Sequence, residues 1–202
     1  MKEKSFEREL PEGYRQVYHL SATNVKVGII FNLIAMVIFA LVGFVAAVPL
    51  FFKKDLLLDF SVLSVWLYIA IALMLVYMVL HELVHGAVYK MKTGEKLTFG
   101  LSWSCAFCGV PNIYVYRKTA LAALVAPLVL FTVIMLPLAV AMYYVSIYAY
   151  AAVVMVFAMH LGGCAGDAYM TILLLSKFKS NTMLMRDTGP EQFIYLKENK
   201  NA

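Results

Sequence analysis

A five-residue segment near the middle of the chain combines side chains that bind divalent metal ions with one that can act as a base. In His81-Glu82-Leu83-Val84-His85 the two histidines are four positions apart. On an α-helix both imidazoles lie on the same face, where they can bind one Zn²⁺ while Glu82 takes a proton from water. Shuffling this composition gives the pattern about once in four hundred sequences, so chance is a poor explanation.

A catalytic zinc site needs a third protein ligand, and the sequence offers three candidates. Asp167 ranks first, because its distance along the chain from the nearest lysine block matches that of His81, which predicts equal depth on two parallel helices. Cys164 and His160 rank behind it. His160 reaches that depth only if the helix unwinds at Gly162-Gly163, and a hydrogen bond between helices explains His160 equally well.

The elements that carry these residues are strongly apolar. The chain is 63% hydrophobic and 14% charged, with a mean hydropathy of +0.80, well above the roughly 45–50% apolar content of soluble domains. The apolar stretches 27–52, 60–89, 120–144 and 147–175 each reach the ~20 residues that cross a bilayer. We therefore predict an all-α polytopic membrane protein with about four transmembrane helices, forming one domain over residues 1–202.

The basic residues indicate the orientation of these helices. Fifteen of the 17 lysines and arginines fall in the N-terminal segment, the middle loop and the tail, whereas only Lys53 and Lys54 lie in the first loop. The positive-inside rule then predicts a multi-pass protein of the cell membrane with both termini in the cytoplasm. The basic residues form no continuous stripe, so no nucleic-acid partner is expected.

The middle loop has the composition of β-strands. Segments 97–103 and 113–116 are rich in β-formers on either side of Gly109-Val110-Pro111-Asn112. We predict a short β-hairpin-like cytoplasmic loop, whose strand edge can hold an extended substrate. The tail after Ser176 has the composition of a solvated cytoplasmic end.

These motifs resemble known membrane peptidases. The segment His81 to Gly86, with Gly166-Asp167 in a later helix, resembles the site-2 protease type of intramembrane metallopeptidase, although Ala168 follows the aspartate and no Asn-Pro precedes it. More closely, the chain is similar to a bacterial family of uncharacterised zincin peptidases, through Ala126-Pro127 and the run His160-Leu161-Gly162-Gly163-Cys164-Ala165-Gly166-Asp167. The similarity extends from about Gly13 to Leu175.

This resemblance implies one zinc ion per chain, bound by His81, His85 and Asp167, with Glu82 as the general base. It implies hydrolysis of peptide bonds in a membrane protein or peptide, within or beside the bilayer. The residues that bind substrate and the oligomeric state are not indicated by the sequence.

Other functions fit some of the same residues. A membrane metal-binding or transport protein would use the intramembrane histidines and acids as a cation path, but the remaining helix faces are almost wholly apolar. A catalytically inactive, protease-like scaffold would carry the same residues, and a haem-binding or di-iron oxidoreductase would use the histidines. The chain has only four histidines, too few for the histidine clusters of membrane di-iron enzymes.

Overall fold

The computed structural model describes residues 4–52 and 59–198, and most of them are helical. Lys53 and Lys54, on which the predicted orientation partly rests, lie outside the described residues, as do Lys2 and Lys200. The helices are α1 (Val25–Ala47, followed by a 3₁₀ turn at Val48–Phe52), α2 (Phe60–Thr93), α3 (Arg117–Val145), α4 (Ile147–Gly163) and α5 (Ala165–Ser176). The strands are β1 (Phe6–Glu7), β2 (Tyr14–Ser21), β3 (Thr98–Leu101), β4 (Ala106–Gly109), β5 (Tyr114–Tyr116), β6 (Leu184–Asp187) and β7 (Glu191–Lys197).

Several helices are long and apolar enough to cross a membrane. Among the described residues three helices meet this criterion, Val25–Phe51, Phe60–Thr93 and Arg117–Val145, and α4 with α5 makes a fourth if that bent pair is one span. Helix α4 begins where length predicted a break, because the Ser146 side chain caps it by accepting a hydrogen bond from the Ala149 amide. The predicted fourth stretch is divided at Cys164, between α4 and α5.

The chain divides into two compact units. We call Met1–Ile30, His81–Pro127 and Gly166–Ala202 the site unit, and Phe31–Leu80 with Leu128–Ala165 the helical unit. The prediction that residues 1–202 form one domain stays a prediction.

The site unit contains a five-stranded antiparallel sheet in the order β1-β5-β6-β7-β2. Strands from the N-terminal segment, the middle loop and the tail meet in it, and burial of their apolar side chains holds them together. In β6, for example, Leu184 and Met185 point to opposite faces of the sheet and both are fully buried. This sheet packs in a core with residues of α2, α3 and α5, among them Tyr89, Ala123 and Met170. The fold is therefore not all-α, and the tail after Ser176 is a structural part of this unit.

The middle loop forms a β-hairpin whose first strand lies in the predicted segment 97–103, but whose second strand and turn differ from the prediction. Strand β3 pairs with β4, and the turn lies at residues 102–105, where the Ser102 amide donates to the Cys105 carbonyl. The predicted second strand, β5, pairs instead with β1 and β6. Residues 109–112 cannot be the hairpin turn, because the Val110 amide bonds to the Asp187 carbonyl and holds this segment against the β6–β7 turn.

The helical unit is held by close helix contacts and by hydroxyl bonds to main-chain carbonyls. A Cβ atom at Gly162 would lie 2.7 Å from the Ala35 carbonyl oxygen, so only glycine permits α4 to approach α1 this closely. The Tyr150 hydroxyl donates to the Ala46 carbonyl at 2.7 Å. Both contacts join α1 to α4.

Candidate metal centre

Helix α2 presents the two histidines of the H-E-L-V-H segment on one buried face. His81 and His85 are each only 7% exposed. Because they are one turn apart, their rings meet edge to face, with Nε2 of His81 3.1 Å from Nε2 of His85. Two nitrogen donors therefore converge on one point in the site unit.

Asp167 adds an oxygen donor to this pair. It lies in the first turn of α5, and its Oδ2 atom is 3.2 Å from Nε2 of both His81 and His85. The three atoms thus form a nearly equilateral triangle. The predicted first-ranked donor and the two histidines are brought together by the fold.

Main-chain contacts orient the second histidine. Nδ1 of His85 lies 2.9 Å from the Ala123 carbonyl of α3, which accepts its proton. In a neutral imidazole this leaves the Nε2 lone pair directed toward Asp167 and His81. Since a carboxylate oxygen is also an electron-pair donor, a cation or a shared proton must lie between these atoms.

The dimensions of the triangle fit a zinc ion. Tetrahedral Zn²⁺ with bonds of ~2.0–2.1 Å to nitrogen and oxygen keeps its ligand atoms about 3.3–3.4 Å apart. The observed separations of 3.1, 3.2 and 3.2 Å are close to that spacing. Two imidazoles and one carboxylate also form the donor set of a catalytic zinc, which leaves the fourth position for water or substrate.

Glu82 lies next to this triangle and is not one of its donors. Its half-buried carboxylate accepts a hydrogen bond from the Cys108 main-chain amide of β4. The hairpin comes close enough for this contact because residue 86 is a glycine: a Cβ atom there would lie 2.8 Å from the Phe99 ring. Glu82 is thus an oriented acid beside a candidate metal centre.

Cys108 contributes its amide to the site, and its side chain stays protonated. Burial, followed by the negative charges of Glu82 and Asp187, raises the pKa of the Cys108 thiol to about 12. A neutral thiol is a poor zinc ligand.

His160 and Cys164, the remaining two candidate ligands, belong to the helical unit. Nδ1 of His160 is 2.7 Å from the Tyr77 hydroxyl, and its Nε2 is 3.1 Å from Oγ1 of Thr132. Cys164 lies next to Nδ1 of His160, at 3.7 Å. Within this unit the fully buried His160 therefore joins α2, α3 and α4 through hydroxyl groups, as expected for a histidine that links helices.

Two residues beside the candidate metal centre, Tyr89 and Asp187, were not predicted from the sequence. Tyr89 is buried in α2 and donates a hydrogen bond of 2.6 Å to Asp187, which is 3% exposed. Burial raises the pKa of Asp187 to about 6, despite the opposing effect of hydrogen bonds from Tyr89 and Gly189. The position of Tyr89, one turn beyond His85 on the same helix face, was the available signal.

Comparison with known proteins identifies the family. The family model described as "Putative zincin peptidase" matches residues 74–183, more than half of the chain. This range contains the H-E-L-V-H segment, the β3–β4 hairpin and Asp167, and it ends before Asp187. No curated protein and no solved structure matches. Zincins bind zinc through an H-E-x-x-H helix, and this chain belongs to the family described as "Putative zincin peptidase".

Proposed function

We propose that the chain is an intramembrane zinc metallopeptidase with one zinc ion bound by His81, His85 and Asp167. The observation that carries the proposal is the triangle of donor atoms, with sides of 3.1–3.2 Å, on helices α2 and α5. Membership of a zincin family supports a metallopeptidase, and the apolar character of α2 supports its location in a bilayer.

The proposed location is the cell membrane, with several spans and both termini in the cytoplasm. The lysines and arginines concentrate in the N-terminal segment, the middle loop and the tail, which is the distribution expected of cytoplasmic segments. Lys90 and Lys92, in the last turn of α2, would then mark the cytoplasmic end of the helix that carries the metal centre. The bilayer is thus one proposed partner.

In the proposed reaction Glu82 acts as general base and then as general acid. Zinc at this centre supplies Lewis acidity, which makes water more acidic and polarises a peptide carbonyl. Glu82 takes one proton as the water oxygen forms a bond to the carbonyl carbon. It then gives that proton to the amide nitrogen as the carbon–nitrogen bond breaks, so the products are a carboxylic acid and an amine.

The Cys108 amide would hold the Glu82 carboxylate during this proton transfer. A hydrogen bond from the main chain restricts the side chain to one orientation without adding a competing acid or base. In that one orientation the carboxylate would take the proton from water and later give it to the leaving amine.

The proposed substrate is a membrane protein or peptide held in extended form on β3. The two-stranded sheet leaves the outer edge of β3 without a neighbouring strand among the described residues. Strand addition there would expose a scissile carbonyl that helical hydrogen bonds otherwise hide. Phe99 and Leu101, both substantially exposed, offer apolar contacts along that strand.

The experiment compares membranes from cells that produce the wild type, Glu82→Gln or the control Glu95→Gln. Glu95 belongs to the same unit but pairs with Arg8 at the surface. New protein N-termini identified by mass spectrometry should appear with the wild type and Glu95→Gln. In Glu82→Gln they should fall at least about 100-fold, because a general base contributes roughly 10²–10⁴-fold.

Zinc should stay bound in Glu82→Gln, since Glu82 is not a donor of the triangle. Identical sets of N-termini in all three strains would contradict proteolysis. Retained zinc with no Glu82-dependent cleavage would favour a metal-binding protein or an inactive scaffold instead.

A further inference from the structure

The acid in the turn between β6 and β7 makes contacts that extend beyond the turn to helix α2. Asp187 is the last residue of β6, and its two carboxylate oxygens have different partners. Oδ2 accepts from the Tyr89 hydroxyl at 2.6 Å, and Oδ1 accepts from the Gly189 amide at 2.9 Å. One half of the carboxylate therefore shapes the turn, and the other half binds a helix.

That helix is the one that carries the H-E-L-V-H segment. Tyr89 lies one turn after His85 in α2 and is only 1% exposed. Because its hydroxyl is directed at Asp187, this bond restrains both the rotation and the translation of α2 next to the metal centre.

The main chain of Asp187 also binds the strand that contacts Glu82. The register pairs Phe99 with Cys108, and residues alternate along an antiparallel strand, so the amides of Cys108 and Val110 project from the same outer edge. The Cys108 amide donates to Glu82, and the Val110 amide donates to the Asp187 carbonyl at 2.8 Å. Two successive outward amides of one edge thus bind the Glu82 side chain and the main chain of residue 187.

These contacts form a closed ring. It runs from Glu82 along α2 to Tyr89, through Asp187 to Val110, and back along the strand to Cys108 and Glu82. A second contact supports it, since Nε of Arg186 donates to the Pro111 carbonyl at 2.9 Å. Close packing gives a third contact, since a Cβ atom at Gly109 would collide with the Gly189 nitrogen.

We infer that Asp187 and Tyr89 are positioning residues that set the orientation of Glu82 through this ring. The inference rests on the proposed function only in giving Glu82 a catalytic role. The inference gives a positioning role to Asp187, which lies beyond residues 74–183 of the family match. A buried carboxylate would be unfavourable in a purely structural core, because an apolar side chain would fill the same space at lower free energy.

The test measures hydrogen exchange at the Cys108 amide in the purified full-length protein in detergent micelles with added zinc. Labelling with ¹⁵N-cysteine gives only three amide signals, from Cys105, Cys108 and Cys164. The variants are Tyr89→Phe, which removes one hydroxyl, and Asp187→Asn. Thr188→Ala is the matched control, because the Thr188 hydroxyl bonds across its own turn, to the Glu191 carbonyl.

In Tyr89→Phe and Asp187→Asn the Cys108 amide should exchange about 5- to 10-fold faster, as expected when one hydrogen bond is weakened. Cys105, in the turn of the hairpin, should change less than about 2-fold, and Thr188→Ala should leave both amides unchanged. Glu82→Gln, by altering the acceptor itself, should accelerate Cys108 alone.

Unchanged exchange at Cys108 in Tyr89→Phe would overturn the inference. Equal acceleration of Cys105 and Cys108 would also overturn it, because it would show general loosening of the hairpin. Zinc content is measured on the same samples, so loss of the proposed metallopeptidase function, seen as a wild type without zinc, is read separately from the exchange result.

Discussion

The site unit and the helical unit each bury histidine on apolar helices, but they surround it with different chemistry. In the site unit, Nε2 of His81 and of His85 faces a carboxylate oxygen of Asp167. In the helical unit, both ring nitrogens of His160 face hydroxyl groups, those of Tyr77 and Thr132. A hydroxyl can both donate and accept, whereas an ionised carboxylate can only accept.

This difference separates a histidine that holds helices together from one that is placed to bind a metal. A hydroxyl on each side satisfies a neutral imidazole without any added charge. Two imidazoles and a carboxylate concentrate electron pairs and one negative charge, which a buried site retains only if a cation or a proton compensates them. The partners of a buried histidine therefore predict its role better than its burial does.

Removing a donor atom of the triangle should have the largest effect, because it should abolish the difference in zinc binding between the two histidine sites. In His85→Ala and Asp167→Ala the affinity for zinc should fall more than about 100-fold, since even changes to residues behind the ligands cost 10- to 100-fold. Metal analysis of the purified proteins measures the effect. His19→Ala is the control, because His19 stacks on Phe193 at the surface. Zinc retained at one per chain in Asp167→Ala would move the third ligand to Cys164 or His160.

Asp187 is a buried acid that lies in a strand, outside the helices, and its burial has a consequence for stability. Burial raises its pKa from 3.8 to about 6 in the folded protein, so the folded state holds a proton that the unfolded chain releases. Its contribution to stability is therefore full below about pH 4 and is lost as the pH rises through 6. As the pH rises from 4 to above 6, the unfolding free energy of the wild type should fall by about 3 kcal/mol relative to that of Asp187→Asn.

Equilibrium unfolding of both proteins at several pH values measures this shift. Unfolding both proteins in the presence of a zinc chelator removes any contribution of metal binding, so the difference isolates Asp187. A difference that is independent of pH would show that Asp187 keeps its ordinary pKa.

His160→Leu should have a smaller effect and one confined to stability. It removes two hydrogen bonds and leaves the Tyr77 hydroxyl without this partner, which should lower the unfolding free energy by about 1–3 kcal/mol. Zinc content should stay at the wild-type level. Loss of zinc together with a normal melting temperature would contradict the distinction between the two histidine sites.

Part of the candidate site follows from sequence alone. Helical periodicity puts His81 and His85 on one face, and matched chain distances put Asp167 at their level. The Ala123 carbonyl and the Cys108 amide could not be foreseen, because main-chain groups leave no trace in residue types. Asp187 was hidden for another reason, since the charged tail around it did not indicate a buried strand.

The fold, too, could be predicted from the sequence only in part. Long apolar runs predicted the helices, because burial of the backbone in hydrocarbon or in protein requires helical hydrogen bonding over such lengths. The five-stranded sheet was missed because three of its strands have only two to four residues, and because its strands come from three distant segments that are rich in charged residues. The hairpin turn was misplaced because Gly109-Val110-Pro111-Asn112 reads as a turn locally, whereas tertiary bonds to the β6–β7 turn decide its conformation.

Zinc X-ray absorption of the purified wild type tests the proposed metal centre most directly. Ligation by His81, His85 and Asp167 predicts only nitrogen and oxygen neighbours at about 2.0–2.1 Å, with the outer-shell scattering of two imidazoles. A sulfur neighbour at about 2.3 Å would indicate a cysteine ligand and contradict the assignment.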